Sequence, residues 1–222
     1  MRGGELTCID LGLVEYSRVW RLQLRLVEKR ISGEVGDVLI LVEHPHVFTL
    51  GRRGDENNIL DKSIPVYRVE RGGDATYHGP GQLVAYPIVN LNELGLGVGE
   101  FVNLLEEVCI SVLGKLGVGA GRVEGKPGVW VKGRKIVSIG LAIRHWVTYH
   151  GLAFNVNTDL SYFFKIRPCG MDSDVMTSLQ QVTGQTHDLS HVKQLLAVEM
   201  AERLGLKLRN SGVGGVLEEQ VL

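Results

Sequence analysis

Gly128-Val-Trp-Val-Lys-Gly-Arg-Lys-Ile-Val-Ser-Ile-Gly-Leu-Ala-Ile-Arg-His-Trp-Val-Thr-Tyr-His-Gly-Leu-Ala-Phe-Asn155 is the stretch that decides the fold of this chain. Lys132-Gly-Arg supplies one turn, and Val147-Thr-Tyr-His-Gly carries alternating character into the strand that follows. Residues 128 to 157 therefore read as a β meander, with Lys135 on one of its hairpins.

On the N-terminal side, Leu6 to Leu11 reads as a first strand. Tyr16, Trp20, Leu24, Val27 and Ile31 recur at helical spacing between about Val14 and Ser32, which predicts an amphipathic helix. Val38 to Val42 is a short continuous apolar run, a buried strand, and His46 to Leu50 follows as another. Arg71-Gly-Gly-Asp-Ala-Thr-Tyr-His-Gly-Pro-Gly81 reads as a Gly-rich loop leading into a strand from Leu83 to Leu91. A second helix is expected from about Gly99 to Leu116, with Phe101, Leu105, Val108, Val112 and Leu116 on one face. A last helix, from about Ser190 to Leu204, is expected to bury Leu195, Leu196 and Met200. Strands outnumber helices and hairpins dominate, so the class is α+β, a mixed sheet with flanking helices. With no repeat and no long linker, residues 1–222 are expected to form one domain, with about 207–222 as a mobile tail.

The 24 basic and 25 acidic residues nearly cancel, which argues against a general nucleic-acid binder or a membrane-surface protein. No apolar run is long enough to span a bilayer, and the N-terminus lacks the apolar segment of a signal peptide. Three widely spaced cysteines argue against a disulfide framework and for a reducing compartment. The expectation is a soluble cytoplasmic protein.

Of the three, Cys8 falls in a predicted strand and Cys109 near the apolar face of a helix, so both read as core. Cys169 differs. It lies in Lys165-Ile-Arg-Pro-Cys-Gly170, between a proline and a glycine, where the backbone can turn sharply and leave the thiol open. The thiolate is the nucleophile, and a nearby amine is one way to obtain it near neutral pH. Lys135 is the candidate partner. The Gly-rich loop lacks the Gly-Lys-Ser/Thr of a P-loop and the dinucleotide spacing, yet embeds Arg71, Asp74, Thr76, Tyr77 and His78. His44-Pro-His46 lacks a companion pair at zinc spacing, so no metal is expected.

Four motifs in order, Arg71-Gly-Gly-x-x-Thr-Tyr-His-Gly-Pro-Gly-Gln82, Lys135-Ile-x-Ser-Ile-Gly140, His150-Gly-Leu-Ala-Phe-Asn155 and Pro168-Cys-Gly170, resemble the lipoyl(octanoyl) transferases of lipoate biosynthesis. The resemblance runs from about residue 7 to about 205. It implies the catalytic-domain fold of biotin and lipoate protein ligases, with Cys169 as acyl-thioester nucleophile and Lys135 as its activating partner. It implies substrate contacts at Arg71, Gly72, Gly73, Asp74, Ala75, Thr76, Tyr77 and His78, at Ser138, Ile139 and Gly140, and at Gly151, Leu152 and Ala153. The implied donor is octanoyl-acyl carrier protein. The implied acceptors are lipoyl domains of 2-oxoacid dehydrogenases and the glycine cleavage H protein, and no cofactor is implied.

Gly140-Leu-Ala-Ile143 and Gly151-Leu-Ala-Phe154 are candidate linings for an acyl tunnel. Arg52, Arg53, Arg71, Lys132, Arg134, Arg144, Lys165 and Arg167 are expected to rim its mouth. Competing readings are an ATP-dependent lipoate or biotin protein ligase, which needs no cysteine, and an octanoyl amidotransferase working between lipoyl domains. A noncatalytic carrier-binding module would have no use for Cys169 and Lys135.

Overall fold

A computed structural model describes residues 4–167 and 175–211. Strand β1 (Glu5–Leu13) passes through helix α1 (Tyr16–Ser32) into β2 (Asp37–Glu43), and the two strands pair in parallel. From β2 the sheet continues antiparallel through β6 (Gln82–Ile88), β10 (Val147–Asn155), β9 (Arg134–Arg144), β8 (Lys126–Val131) and β7 (Gly121–Val123). On the other side of β1 lies β11 (Lys207–Ser211), parallel to it, which completes eight strands. A smaller sheet of three holds β3 (Val47–Leu50) between β4 (Val66–Arg68) and β5 (Ala75–His78).

Helix α1 covers one face of the large sheet, and α3 (Val98–Lys115) and α5 (Leu189–Leu204) cover the other. The short helices α2 (Leu91–Leu94) and α4 (Leu179–Thr183) join these layers. Two faces to fill explain the unbroken apolar run in β2. Leu39 and Leu41 enter the α3–α5 core, while Val38, Ile40 and Val42 enter the α1 core. Strand β6 is built the same way, Leu83 and Ala85 against Val84, Tyr86 and Ile88.

Three expectations change. The buried stripe of α1 is Tyr16, Val19, Leu22, Leu26 and Val27, while Trp20, Leu24 and Ile31 are half-buried. The helix is rotated because it also buries two polar residues with partners: Gln23 and Arg30, the latter paired with Asp37 at 2.8 Å. Second, Ala75–His78 inside the Gly-rich segment is not loop but strand β5, paired with β3. Third, Lys207–Ser211 is a strand of the large sheet rather than tail; the rest of the predicted tail lies outside the described residues.

Candidate active site

Lys135 reaches the site through a β-bulge. Val129 pairs with Val137, and Trp130 pairs with Lys135, so one step along β8 answers two along β9 and Ile136 is the extra residue. Val129 and Val137 face the α3–α5 core. A regular strand would send Lys135 to that same face. The bulge turns it to the opposite face, beside Trp130. There Lys135 is 8 % exposed, its Nζ lying 5.3 Å from the centre of the Trp130 ring. That distance attracts an ammonium to the indole face.

The neighbouring backbone is fitted around the amine. Gly128 has φ 126°, and a Cβ there would meet Lys135 Cε at 2.6 Å and collide with the Val137 carbonyl. Its N–H donates to Glu106 Oε1 (2.8 Å), a buried carboxylate of α3 whose other oxygen accepts from Arg122 Nε (2.7 Å). Thr177 N–H donates to the Lys135 carbonyl (2.9 Å), and Met176 bridges to Lys135. Upstream, Arg167 N–H donates to the Asn58 carbonyl (2.8 Å). Cys169 lies between these two anchored ends and outside the described residues. The other two cysteines are buried in the α3–α5 core, where desolvation pushes the Cys8 thiol up to about 12 and the Cys109 thiol higher still.

Beside Lys135 a cavity opens between the α1 face of the large sheet and the small sheet. Ser138, Ala153 and Val84 share one rung of its floor, and Gly140 pairs with Gly151 on the next. Ile139 and Leu152 also line it, although their side chains pack with the α3–α5 core, so they offer mainly backbone. Ile143 and Phe154, named as tunnel lining from the sequence, pack in that core as well. From above come Arg71, Gly72, Gly73, Ala75, Thr76 and His78. Gly72 N–H donates to the Leu141 carbonyl (2.8 Å), fastening this segment to β9. Gly140 leaves the room this needs, since a Cβ there would lie 3.2 Å from Arg71 Cδ.

Arg71 is buried, and its guanidinium donates to Thr49 Oγ1, to the Thr49 carbonyl (2.7 Å) and to the Gly72 and Asp74 carbonyls. It therefore staples the loop and is no part of an outer rim. Of the expected substrate contacts, Asp74 and Tyr77 do not line the cavity. Asp74 accepts from the Asp55 and Ala75 amides and from Asn58 Nδ2, bracing the turn. Tyr77 is fully buried in the small-sheet core and hydrogen-bonded to His46 Nδ1 (2.8 Å).

Four lining side chains were not among the expected contacts: Tyr16, Val84, Tyr86 and Met176, with His150 as a fifth known only as a motif residue. Periodicity marks Tyr16 and Tyr86 as buried, but it says nothing of which cavity they face. His44 Nδ1–H donates to the Val14 carbonyl (2.7 Å), so its Nε2 accepts from the Tyr86 hydroxyl (2.9 Å). Gln82 Nε2 donates to the Tyr77 carbonyl and to Asn155 Oδ1, which leaves Gln82 Oε1 to accept from His78 Nδ1–H (2.7 Å). Burial lowers His44 to about 4 and His78 to about 3, so both are neutral near pH 7. His150 holds φ 56° within β10, its N–H donating to Gln23 Oε1 (2.8 Å) and its Nε2–H to Glu70 (3.3 Å). Desolvation lowers its pKa, and the bond to Glu70 only partly opposes this. Among the described residues no group of three or more His, Cys, Asp or Glu is arranged to hold a metal. No helix among them is long and apolar enough to cross a membrane.

The chain is 49 % identical over 212 residues to the octanoyltransferase of Bacteroides fragilis, covering 88 % of this chain and 96 % of that one. Its fold is similar to that of the bi-partite lipoate protein ligase of Thermoplasma acidophilum, with TM-score 0.72 and 17 % identity over 97 % of this chain and 89 % of the other. The biotin protein ligase of Aquifex aeolicus is more distant, with TM-score 0.54 and 14 % identity over 90 % and 69 %. Residues 15–201 match the lipoyl protein ligase A/B catalytic domain, and the chain belongs to that family.

Proposed function

We propose that this protein is an octanoyltransferase that moves an octanoyl group from acyl carrier protein, through a thioester on Cys169, to a lysine of a lipoyl domain. The observation that carries the reading is the bulge that brings Lys135 beside an apolar-floored cavity, next to Met176 and Thr177, which follow the segment bearing Cys169. The chain acts as a single cytoplasmic catalytic domain that needs no cofactor.

In the first half-reaction the Cys169 thiolate attacks the octanoyl carbonyl, and the pantetheine thiolate leaves with a proton from Lys135. One thioester replaces another, so the step is nearly isoenergetic. In the second half the acceptor lysine amine attacks, its proton passes to Lys135, and the Cys169 thiolate departs as the amide forms. Conversion of thioester to amide runs downhill and no ATP is consumed. An unperturbed thiol near 8.5 and amine near 10.4 differ by about 2.6 kcal/mol in favour of the proton resting on Lys135, which leaves Cys169 as the thiolate. The indole of Trp130 favours the ammonium state in which Lys135 begins and ends each turnover. Backbone N–H groups of the Gly-rich segment are candidates to receive the oxyanion.

An ATP-dependent ligase shares the fold, but a ligase activates a carboxylate as adenylate and has no use for Pro168-Cys-Gly170; the identity to a named octanoyltransferase points the same way. The test is intact mass spectrometry after mixing the protein with octanoyl-acyl carrier protein without ATP. One octanoyl group is expected on the wild type and none on Cys169→Ser. Acylation that requires ATP and octanoate would replace this reading with the ligase.

A further inference from the structure

The lining of the cavity extends from Lys135 across the sheet to the aromatic rings of Tyr16, His78 and Tyr86. Tyr86 follows Val84 on β6, two strands from Ser138 on β9 and one rung further on. That is about 9.5 Å across and about 7 Å along, a backbone-to-backbone diagonal of about 12 Å, which the side chains at either end shorten toward the span of a medium-length acyl chain. We propose that Tyr16, backed by His44, His78 and Tyr86, is the end-stop that makes the protein selective for octanoyl over longer acyl chains. This rests on the acyl-transfer reading above and adds the residue that measures its substrate.

The wall cannot yield easily. Tyr16 meets the edge of His44 at 5.1 Å and stacks on His78 at 5.9 Å with 10° between the planes. Tyr86 is tied to His44, His44 to the Val14 carbonyl, and His78 to Gln82. All four rings are buried, and a closely packed wall braced on every member accepts an extra methylene only by displacing rings. Both histidines are neutral near pH 7, so a terminal methyl reaching the wall meets no buried charge. Tyr16, like His44, lies outside both sheets. It sits at the start of α1 in a small cluster with Val47 and Val69.

The test compares wild type, Tyr16→Leu, Tyr16→Phe and Tyr16→Trp on hexanoyl, octanoyl, decanoyl and dodecanoyl pantetheine thioesters, with folding checked by circular dichroism. Each methylene newly accommodated is worth about fourfold, so Tyr16→Leu should raise the decanoyl-to-octanoyl ratio of kcat/KM by about tenfold or more. Tyr16→Phe should keep the octanoyl preference, and Tyr16→Trp should move it toward hexanoyl. Calorimetric binding of octanoate and decanoate to the same variants reads the end-stop without turnover. If the affinity ratio shifts while no thioester reacts, the end-stop stands and the transferase reading falls. Unchanged chain-length ratios in folded Leu and Trp variants, in both assays, overturn the end-stop.

Discussion

Lys135 Cε lies where the β-carbon of any residue other than glycine at position 128 would have to go, at a separation of only 2.6 Å. The absence of a side chain on β8 thus sets where the amine of β9 can rest. Gly128→Ala must also hold φ 126°, a conformation that costs a side-chain-bearing residue about 1–3 kcal/mol. The variant should stay folded with a lowered Tm and lose about 100-fold in acyl transfer, the cost of displacing a reacting group by about 1 Å. A melt combined with single-turnover acylation separates the two effects. Near-normal acylation would mean that Lys135 is not confined by this contact.

Lys135→Arg keeps the charge and the reach but cannot exchange a proton near neutral pH. Transfer should fall by about 10²–10⁴-fold, the range of general acid–base catalysis, with little change in Tm. Activity within tenfold of wild type would reduce Lys135 to an electrostatic role.

Stability should fall as pH drops below about 6.5. His44 and His78 stay neutral in the folded protein to about 4 and about 3, whereas in the unfolded chain they protonate near 6.5. Protons then bind the unfolded state preferentially between about pH 6.5 and 4, at a cost of up to about 1.4 kcal/mol per histidine per pH unit. The stability they contribute is complete above 6.5 and is lost through that window. Urea denaturation at pH 7.0 and 5.0 measures it, and His44→Gln should flatten the slope. An equal slope in the variant would assign the loss elsewhere.

Salt should distinguish protein substrates from small ones. Arg52, Arg53, Lys132, Arg134 and Arg167 are exposed near the site, while Lys165 is paired with Asp61 and Arg144 with Glu28. For an acidic carrier domain, kcat/KM should drop several-fold between 50 and 500 mM salt, as screening shortens below about 8 Å. An octanoyl thioester without its carrier should change less than twofold. Parallel curves for both would remove these residues from carrier recognition.

Much of this was legible because alternation and apolar runs report burial directly. Val38 to Val42 declared a strand covered on both faces, and Phe101, Leu105, Val108 and Val112 declared the face of α3. Lys135 and the glycines around it were legible as a motif. The bulge at Ile136 was not, because an extra residue in a strand leaves no mark in an apolar sequence. Nor was strand β5, since Gly72, Gly73 and Gly79 mask the four residues that pair with β3. Tyr16 and Tyr86 are separated by about seventy positions, and only tertiary packing brings them to one wall.

Strand β11 has a bearing on how the protein survives as a folded chain. Its register with β1, Glu5 with Lys207 through Ile9 with Ser211, joins residues roughly two hundred positions apart. Contacts of such separation form slowly. Until they do, β1 presents its backbone donors and acceptors, flanked by the apolar Leu6, Cys8 and Ile9, to any other extended chain. These last described residues therefore serve as a guard rail against self-association, and loss of β11 would be felt as aggregation while Lys135, five strands away, kept its geometry.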